Sequence, residues 1–441
     1  MGKFFSLVKN EYIKTLKKVS TKILILLVIL AAIGGCGIIW AEEAVFSSYD
    51  DYYADEDDTL DYSDTLDWLE ETQPDDWERQ YELYEYFDSL DLYYGKDYDL
   101  ITMTDIIDEA ELTAEQAKEI LDPWISDGNW KATLEAMIPY TESEALKWEL
   151  EYRVDNDIPY ADDWKNSVIE DIREAKASLD PELSEDTQQE YEDTITLGLY
   201  RLENNISVNA ADGEDEEAIY DGEVTIWTAL FQMSSLAATV IGLLIMVVAG
   251  SCIANEYSQG TIKFLLINPI KRWKILMSKY VTVITFGCVM LALMFLIVLP
   301  TAGLMLGFDG IGAPYLTVEA GEVVESSAVL RVVASWLLGS VEFVIYATLA
   351  MALSSLTKSA ALAVGLSVFF MLAGNTIVLV LNQFGMDWAR YLLFANTDLS
   401  AVISGTSGFA MHTVSFAICV LVAHFAVFFL TMWDAFNKKE V

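Results

Sequence analysis

Three polar side chains lie inside long apolar stretches of the sequence, where an ionisable or amide group is costly. Glu342 is the acid that lies well inside such a stretch, and Asn375 and His424 occupy two others. Polar groups within membrane spans usually face protein or water and mark substrate or proton pathways. We therefore predict a translocation path at these residues, with structural hydrogen bonding as the alternative. A proton relay between His412 and His424 is a further hypothesis beside simple packing roles.

The sequence lacks the patterns of several common catalytic and binding sites. It has no Gly-x-x-x-x-Gly-Lys-Ser/Thr motif, so it cannot cradle ATP phosphates by that route. The acidic runs do not have the spacing of an EF-hand calcium loop, and no zinc, Ser-His-Asp or nucleic-acid pattern occurs. We predict no catalytic residue, no metal site, no cofactor bound by this chain and no nucleic-acid partner.

A basic and partly apolar loop separates two of the apolar stretches. The segment from Asn255 to Lys279 carries five Lys or Arg residues against one acid, Glu256. Because Lys and Arg are retained inside during membrane insertion, this loop is predicted to be cytosolic. Ser258 to Asn268 has the apolar spacing of one short helix, ended by Pro269. An apolar helix in the cytosol needs a partner surface, and contact with the bilayer interface is the alternative.

The same loop resembles the coupling-helix region of ABC-2-type transporter permeases, and Asn10-Glu11-Tyr12-Ile13-Lys14 is also similar to that family. The resemblance covers the membrane half of the chain. It implies docking of the loop into a groove on separate ABC ATPase subunits, which would bind ATP and Mg²⁺. It also implies a second permease chain, identical or different. The docking residues that it implies are Glu256, Gly260, Thr261, Ile262, Lys263, Leu265, Leu266, Pro269 and Arg272.

Several of these residues have an alternative role. Glu256 is predicted to pair with a base on the loop or on the ATPase, and the alternative is a solvated acid at a helix end. Gly260 is predicted to permit a bend or close packing, and the alternative is an ordinary glycine at a helix start. Ile262, Leu265 and Leu266 are predicted to enter the groove of the partner.

Charge is segregated along the 441 residues. The chain is 53% hydrophobic yet has a net charge of −42, and residues 42–225 alone hold 57 acidic and 10 basic residues. A membrane protein with one acidic soluble domain accounts for both values. None of the four cysteines lies in the acidic block, so that domain must fold without disulfides. Helical periodicity and capping boxes at Thr113 and Thr141 predict that it is mainly α-helical.

Six apolar stretches predict an all-α membrane protein with six spans and a large acidic extracytoplasmic domain between the first two. The basic amino terminus, the loop, Lys358 and the carboxyl tail are predicted to be inside, so both termini are cytosolic and the chain is multi-pass in the plasma membrane. The predicted segments are an amphipathic basic helix at 1–22, span one at 23–41, the acidic domain at 42–225, span two at 226–254, the cytosolic elbow at 255–274, span three at 275–304, an outer loop at 305–329, span four at 330–356, span five at 360–381, an outer loop or re-entrant segment at 382–409, span six at 410–433 and a cytosolic tail at 434–441.

The predicted function is that of the permease subunit of an ATP-driven ABC exporter, which is no enzyme by itself and contacts membrane lipid. One alternative is a membrane-anchored receptor or sensor whose acidic domain binds a ligand. Another is a secondary transporter that uses Glu342 and the histidines.

Ile33-Gly34-Gly35-Cys36 also approximates a lipoprotein cleavage box, at which span one would be removed and Cys36 acylated. The apolar run continues to Trp40, which disfavours this processing.

Overall fold

The computed structural model describes residues 2–53, 59–93, 97–161, 163–214, 224–261, 270–308, 310–404, 409 and 412–438. The chain divides into two compact units. The membrane unit comprises Met1–Glu42, Asp212–Gly312 and Ser327–Val441, and the acidic unit comprises Glu43–Ala211 and Ala313–Ser326.

Most of the described residues are helical, and one antiparallel hairpin is present among them. The helices are, in chain order, α1 Gly2–Lys17, α2 Val19–Tyr53, α3 Ser63–Thr72, α4 Trp77–Asp88, α5 Tyr98–Glu109, α6 Ala114–Asp127, α7 Trp130–Met137, α8 Glu144–Asn156, α9 Trp164–Ser178, α10 Glu185–Asn204, α11 Ile226–Ser258, α12 Arg272–Met305, α13 Ala328–Thr357, α14 Ala360–Gln383, α15 Leu399–Ser404 and α16 Val414–Lys438. The strands are β1 Tyr315–Glu319 and β2 Glu322–Ser326.

Six helices of the described chain are long and apolar enough to cross a membrane. They are the first part of α2, to Glu42, together with α11, α12, α13, α14 and nearly all of α16. The prediction of a mostly helical chain with six candidate spans is therefore confirmed. Continuous apolar sequence of 24 to 34 residues forms these helices because a helix satisfies its own backbone hydrogen bonds without water.

Helix α11 packs against α12, α13 and α14 within the membrane unit. It is buried at close intervals from Ile226 to Ala254. Its small residues allow close helix approach, as is usual where apolar side chains gain little from leaving lipid. At Gly250 an added Cβ would lie 3.2 Å from the backbone nitrogen of Val364, so α11 and α14 nearly touch there.

Helices α4 to α8 surround one apolar core in the acidic unit. Leu83, Phe87, Met103, Ile107 and Leu121 are each at most 1% exposed within it. Burial of this size is the main source of stability for a domain without disulfides.

The two predicted capping boxes have different outcomes. The Thr113 box is confirmed, because the Thr113 hydroxyl accepts from the Gln116 backbone and Gln116 bonds back to the Thr113 backbone. The prediction at Thr141 is wrong, because Ser143 caps α8 instead by accepting from the backbone of Leu146. The chain before Ser143 forms a short 3₁₀ turn, Ile138–Tyr140, so the helix begins later than the pattern indicated.

A buried ion pair joins α8 to the chain around α9. Arg153 Nε donates to Glu149 Oε1 at 2.8 Å, and both side chains are 2% exposed. The guanidinium also donates to Asn166 Oδ1 and lies 3.8 Å from the centre of the Tyr160 ring. Burial, and then the nearby Glu149 carboxylate, raise the pKa of the Tyr160 hydroxyl. Arg153 is the nearest positive charge to the Glu149 carboxylate, and Arg173 lies 3.6 Å from its other oxygen.

The β1–β2 hairpin belongs to the acidic unit, although it lies between the third and fourth spans in sequence. The Leu316 backbone donates to Asn209 Oδ1 at 2.9 Å, and the Tyr200 hydroxyl donates to Glu325 at 3.1 Å. The all-α prediction is corrected here. Ala320 and Gly321 both have positive φ, the backbone geometry of a tight hairpin turn between strands rich in β-branched residues.

The segment between α14 and α16 was predicted as an outer loop or a re-entrant segment. It contains two short 3₁₀ turns, Asp387–Tyr391 and Leu393–Ala395, and then α15. Leu393 and Leu399 pack with Ile345 of α13 and Leu421 of α16. The described part of this segment therefore packs against two of the candidate spans.

Candidate functional site

Several segments that the sequence predicts to be inside the cell meet at one end of the membrane unit. The Lys358 ammonium, in the turn between α13 and α14, lies 4.7 Å from the centre of the Tyr257 ring on α11. Arg272 at the start of α12 donates to the carbonyl of Asn437 near the end of α16, at 3.4 Å. This end of the unit therefore carries several lysines and arginines.

Lys279 lies at this end and is buried between two carboxylates. Its ammonium is 2.9 Å from Glu11 Oε2 of α1 and 3.1 Å from Glu256 Oε1 of α11. The side chain of Lys279 is 2% exposed, and those of Glu11 and Glu256 are 11% and 13% exposed. Lys14 completes the group at 3.6 Å from Glu11 and 3.5 Å from Glu256. We call these four residues the ion cluster.

The ion cluster balances two positive and two negative side chains. An unpaired ammonium this deeply buried would lose its hydration without compensation. The cluster therefore holds together only while α1, α11 and α12 keep their present positions. The Tyr12 hydroxyl adds a second contact between α1 and α12, donating to Thr285 Oγ1 at 2.5 Å. The arrangement can transmit a displacement of the elbow to both spans that flank it.

Two of the predicted elbow residues, Gly260 and Thr261, lie just after the end of α11. Helix α11 ends at Ser258, and Gly260 has φ +69°, a left-handed conformation that glycine adopts easily after a helix. Gly260 thus lies two residues after the end of α11, and residues 262–269, which follow it, lie outside the described residues. The Thr261 hydroxyl turns back to donate to the Glu256 carboxylate.

The described elbow residues lie at the end of α11 and at the start of α12. Glu256 pairs with Lys279 and Lys14 of the same chain, and Arg272 lies at the start of α12. The remaining predicted docking residues, Ile262, Lys263, Leu265, Leu266 and Pro269, lie outside the described residues, as does most of the predicted short helix.

A polar cavity of about 110 Å³ lies between α11, α13, α14 and the chain before α15. It brings together Glu342 and Asn375, two of the three residues predicted for a translocation path. Among the described residues His424 does not line it, and its Nδ1 lies 2.9 Å from the Val420 carbonyl. His412 lies elsewhere, with Nε2 2.9 Å from Asn396 Oδ1. We call this space the Glu342 cavity.

Sequence reasoning missed two partners that complete these sites. Lys279 lies one turn inside an apolar run, a position that demands a buried counter-charge, and this signal could have directed attention to Glu11. Asp398 lines the Glu342 cavity from the segment between α14 and α16. No local pattern marks Asp398, because its approach to Glu342 depends on how that segment folds back.

Six candidate spans, with an ion cluster at one end and a polar cavity between the helices, define a multi-pass membrane protein. The chain belongs to the DUF2705 family, described as protein of unknown function, which residues 215–441 match. The uncharacterized protein YhcI of Bacillus subtilis strain 168 is 32% identical over 287 residues, covering 63% of this chain and 84% of the relative. The uncharacterized membrane protein YdbK of the same organism is 31% identical over 199 residues, covering 45% and 76%.

Proposed function

We propose that this chain is the permease subunit of an ABC-2-type transporter, which exports its substrate with energy from separate ATPase subunits. The observation that carries the proposal is the ion cluster. Lys279 joins α1, α11 and α12 at the base of the elbow, residues 255–274. A partner that pushes on the loop can move the spans only if the loop is firmly linked to them, and the ion cluster provides this link.

In this proposal the elbow docks on the ATPase and the spans respond. Closure of the ATPase subunits displaces the elbow, and the ion cluster passes the displacement to α11 and α12. Because α11 and α14 nearly touch at Gly250 and Val364, α14 moves with α11 and changes the shape of the path. ATP and Mg²⁺ are bound by the ATPase, and we assign no catalytic residue to this chain.

The proposed orientation places both termini and the elbow in the cytosol and the acidic unit outside the plasma membrane. Residues 43–211 and the β1–β2 hairpin fold into one unit, so they must lie on the same side. Two crossings separate them in sequence, which is consistent with this requirement. The basic residues near the ion cluster favour the inner side for that end of the membrane unit.

A second permease chain and membrane lipid are the other proposed partners. Ser235 and Thr239 are exposed at successive turns of α11, and small hydroxyl residues on a span surface favour contact with another helix. On α1, Phe5, Ile13 and Leu16 are exposed beside lysines, a combination that favours the inner leaflet.

A secondary transporter is a second candidate, and the Glu342 cavity is the observation that favours it. Carboxylates between spans are used in proton and ion coupling. Transport that continues after ATP depletion, and that follows an imposed proton or sodium gradient, would support this candidate against the ATP-driven one.

The elbow can be tested by replacing its apolar side chains. We expect the double variant Ile262→Asp/Leu265→Asp to reduce the amount of co-purifying ABC ATPase by about tenfold or more, because removing central apolar anchors typically costs over 2 kcal/mol. The measurement is quantitative mass spectrometry of the affinity-purified full chain from its native membrane.

The matched control is Ser258→Asp/Gln259→Asp, which adds the same charge to the same loop at exposed polar positions. This control is expected to retain the ATPase. If the apolar variant retains the ATPase fully, or if the wild-type chain brings down no ABC ATPase, the docking proposal is wrong.

A further inference from the structure

We propose that the Glu342 cavity is a binding site for a monovalent cationic group, with an alkylammonium head group as the preferred ligand. That this group belongs to the exported substrate rests on the proposed transport function. Binding itself does not.

The charged residues that line the cavity are acidic. Glu342 of α13 and Asp398 of the chain before α15 both line the cavity, and no lysine, arginine or histidine is among its described lining residues. The rest of the polar lining consists of neutral oxygen and amide groups. These are Ser234, Ser235, Thr239, Ser335, Asn375 and Thr397. Two carboxylates between membrane helices favour a positive occupant, since charge interactions are strong where water is scarce.

A buried hydroxyl beside the cavity gives an independent observation. The Tyr346 side chain is 0% exposed, and its hydroxyl lies against Glu342 and Thr397. Among the described residues this hydroxyl finds no partner with hydrogen-bond geometry. Buried polar groups nearly always have a partner, and a ligand or a water held in the cavity would supply one.

Size and ligand set limit the occupant to a small monovalent group. The cavity of about 110 Å³ has room for several water-sized groups, but not for a whole amphiphile. Among the described residues no three His, Cys, Asp or Glu side chains form a group that could hold a metal ion, which disfavours a divalent metal. Ser235 and Thr239 are exposed, so the cavity is open on that side. An ammonium group with its organic portion directed outward fits this shape.

The test is direct binding of radiolabelled methylammonium to the purified full chain in nanodiscs, by scintillation proximity. We expect saturable binding to the wild-type chain. Glu342→Gln and Asp398→Asn are each expected to weaken it by about tenfold or more, because a hydrogen bond to a charged group contributes about 1.5 to 3 kcal/mol. Asp387→Asn is the matched control, since it removes an exposed carboxylate from the same segment and should bind normally.

Competition experiments identify which kind of cation occupies the site. Displacement by butylammonium but not by equal concentrations of sodium or potassium chloride supports an ammonium ligand. Displacement by sodium with the same loss in Glu342→Gln supports the cationic site and assigns it to an alkali ion.

Two results would overturn the proposal. The first is no saturable cation binding by the wild-type chain, and the second is unchanged binding by both cavity variants. Thermal unfolding of each variant shows that it is folded. Retention of the ABC ATPase by the same variants separates failure of this inference from failure of the proposed function, because neither variant changes the elbow.

Discussion

Replacing Lys279 with methionine is expected to lower the free energy of unfolding of the membrane unit by about 3 kcal/mol. The substitution keeps an unbranched side chain of similar length but removes the cation between Glu11 and Glu256, whose carboxylates lie 2.9 and 3.1 Å from it. Two mostly buried negative charges are then left with Lys14 alone. The measurement is thermal and chemical unfolding of the purified chain in detergent, followed by tryptophan fluorescence.

Lys14 provides the matched control for this prediction. It contacts the same two carboxylates, but its side chain is 54% exposed, so Lys14→Met is expected to cost less than about 1 kcal/mol. Adding Glu11→Gln and Glu256→Gln to Lys279→Met is expected to restore most of the lost stability by removing the uncompensated charge. Equal effects of the two lysine variants would contradict the assignment of Lys279 as the central cation.

Replacing Arg153 with leucine is expected to destabilise the acidic unit by about 3 to 5 kcal/mol. Glu149 would remain 2% exposed without the guanidinium that lies 2.8 Å away, and the contact with the Tyr160 ring would be lost. The expected result is rapid cleavage within the acidic unit by limited proteolysis of the full chain, together with an earlier unfolding transition.

Arg173→Leu is the control for this second variant. Arg173 lies 3.6 Å from the other Glu149 oxygen and is 28% exposed, so its loss should cost less than about 1 kcal/mol. The double variant Glu149→Leu/Arg153→Leu removes both charges and is expected to be more stable than Arg153→Leu alone. If the double variant is the less stable of the two, buried charge is not the cause.

Sequence patterns correctly predicted those parts of the fold that local sequence determines. Span-length apolar runs and the Thr113 capping box depend on local sequence, and the structure has both. The β1–β2 hairpin was missed because it lies in a short loop whose partners, such as Asn209, are more than a hundred residues away. At α8 two hydroxyl residues compete to cap one helix, and the pattern alone could not choose Ser143.

The sequence predicted residues of each candidate site but not the partners that they contact. Glu256, Glu342 and Asn375 were notable because each is polar beside or within an apolar run. Their partners could not be derived, since Glu11 is 268 positions from Lys279, and only the packing of α1 on α12 brings them together. His424 has the same sequence signal as Asn375 but not the same surroundings, because side-chain direction in α16 is set by tertiary contacts.

The side of the membrane on which the elbow lies is the most direct test of the proposed function. The measurement labels a Lys274→Cys variant, with the four native cysteines replaced by serine, using a membrane-impermeant maleimide. A Glu322→Cys variant in β2 serves as the reporter for the acidic unit. The account predicts that Cys at position 322 is labelled in intact cells and that Cys at position 274 is labelled only after permeabilisation. Labelling of position 274 in intact cells would place the elbow beyond reach of any cytosolic ATPase and contradict the proposed function.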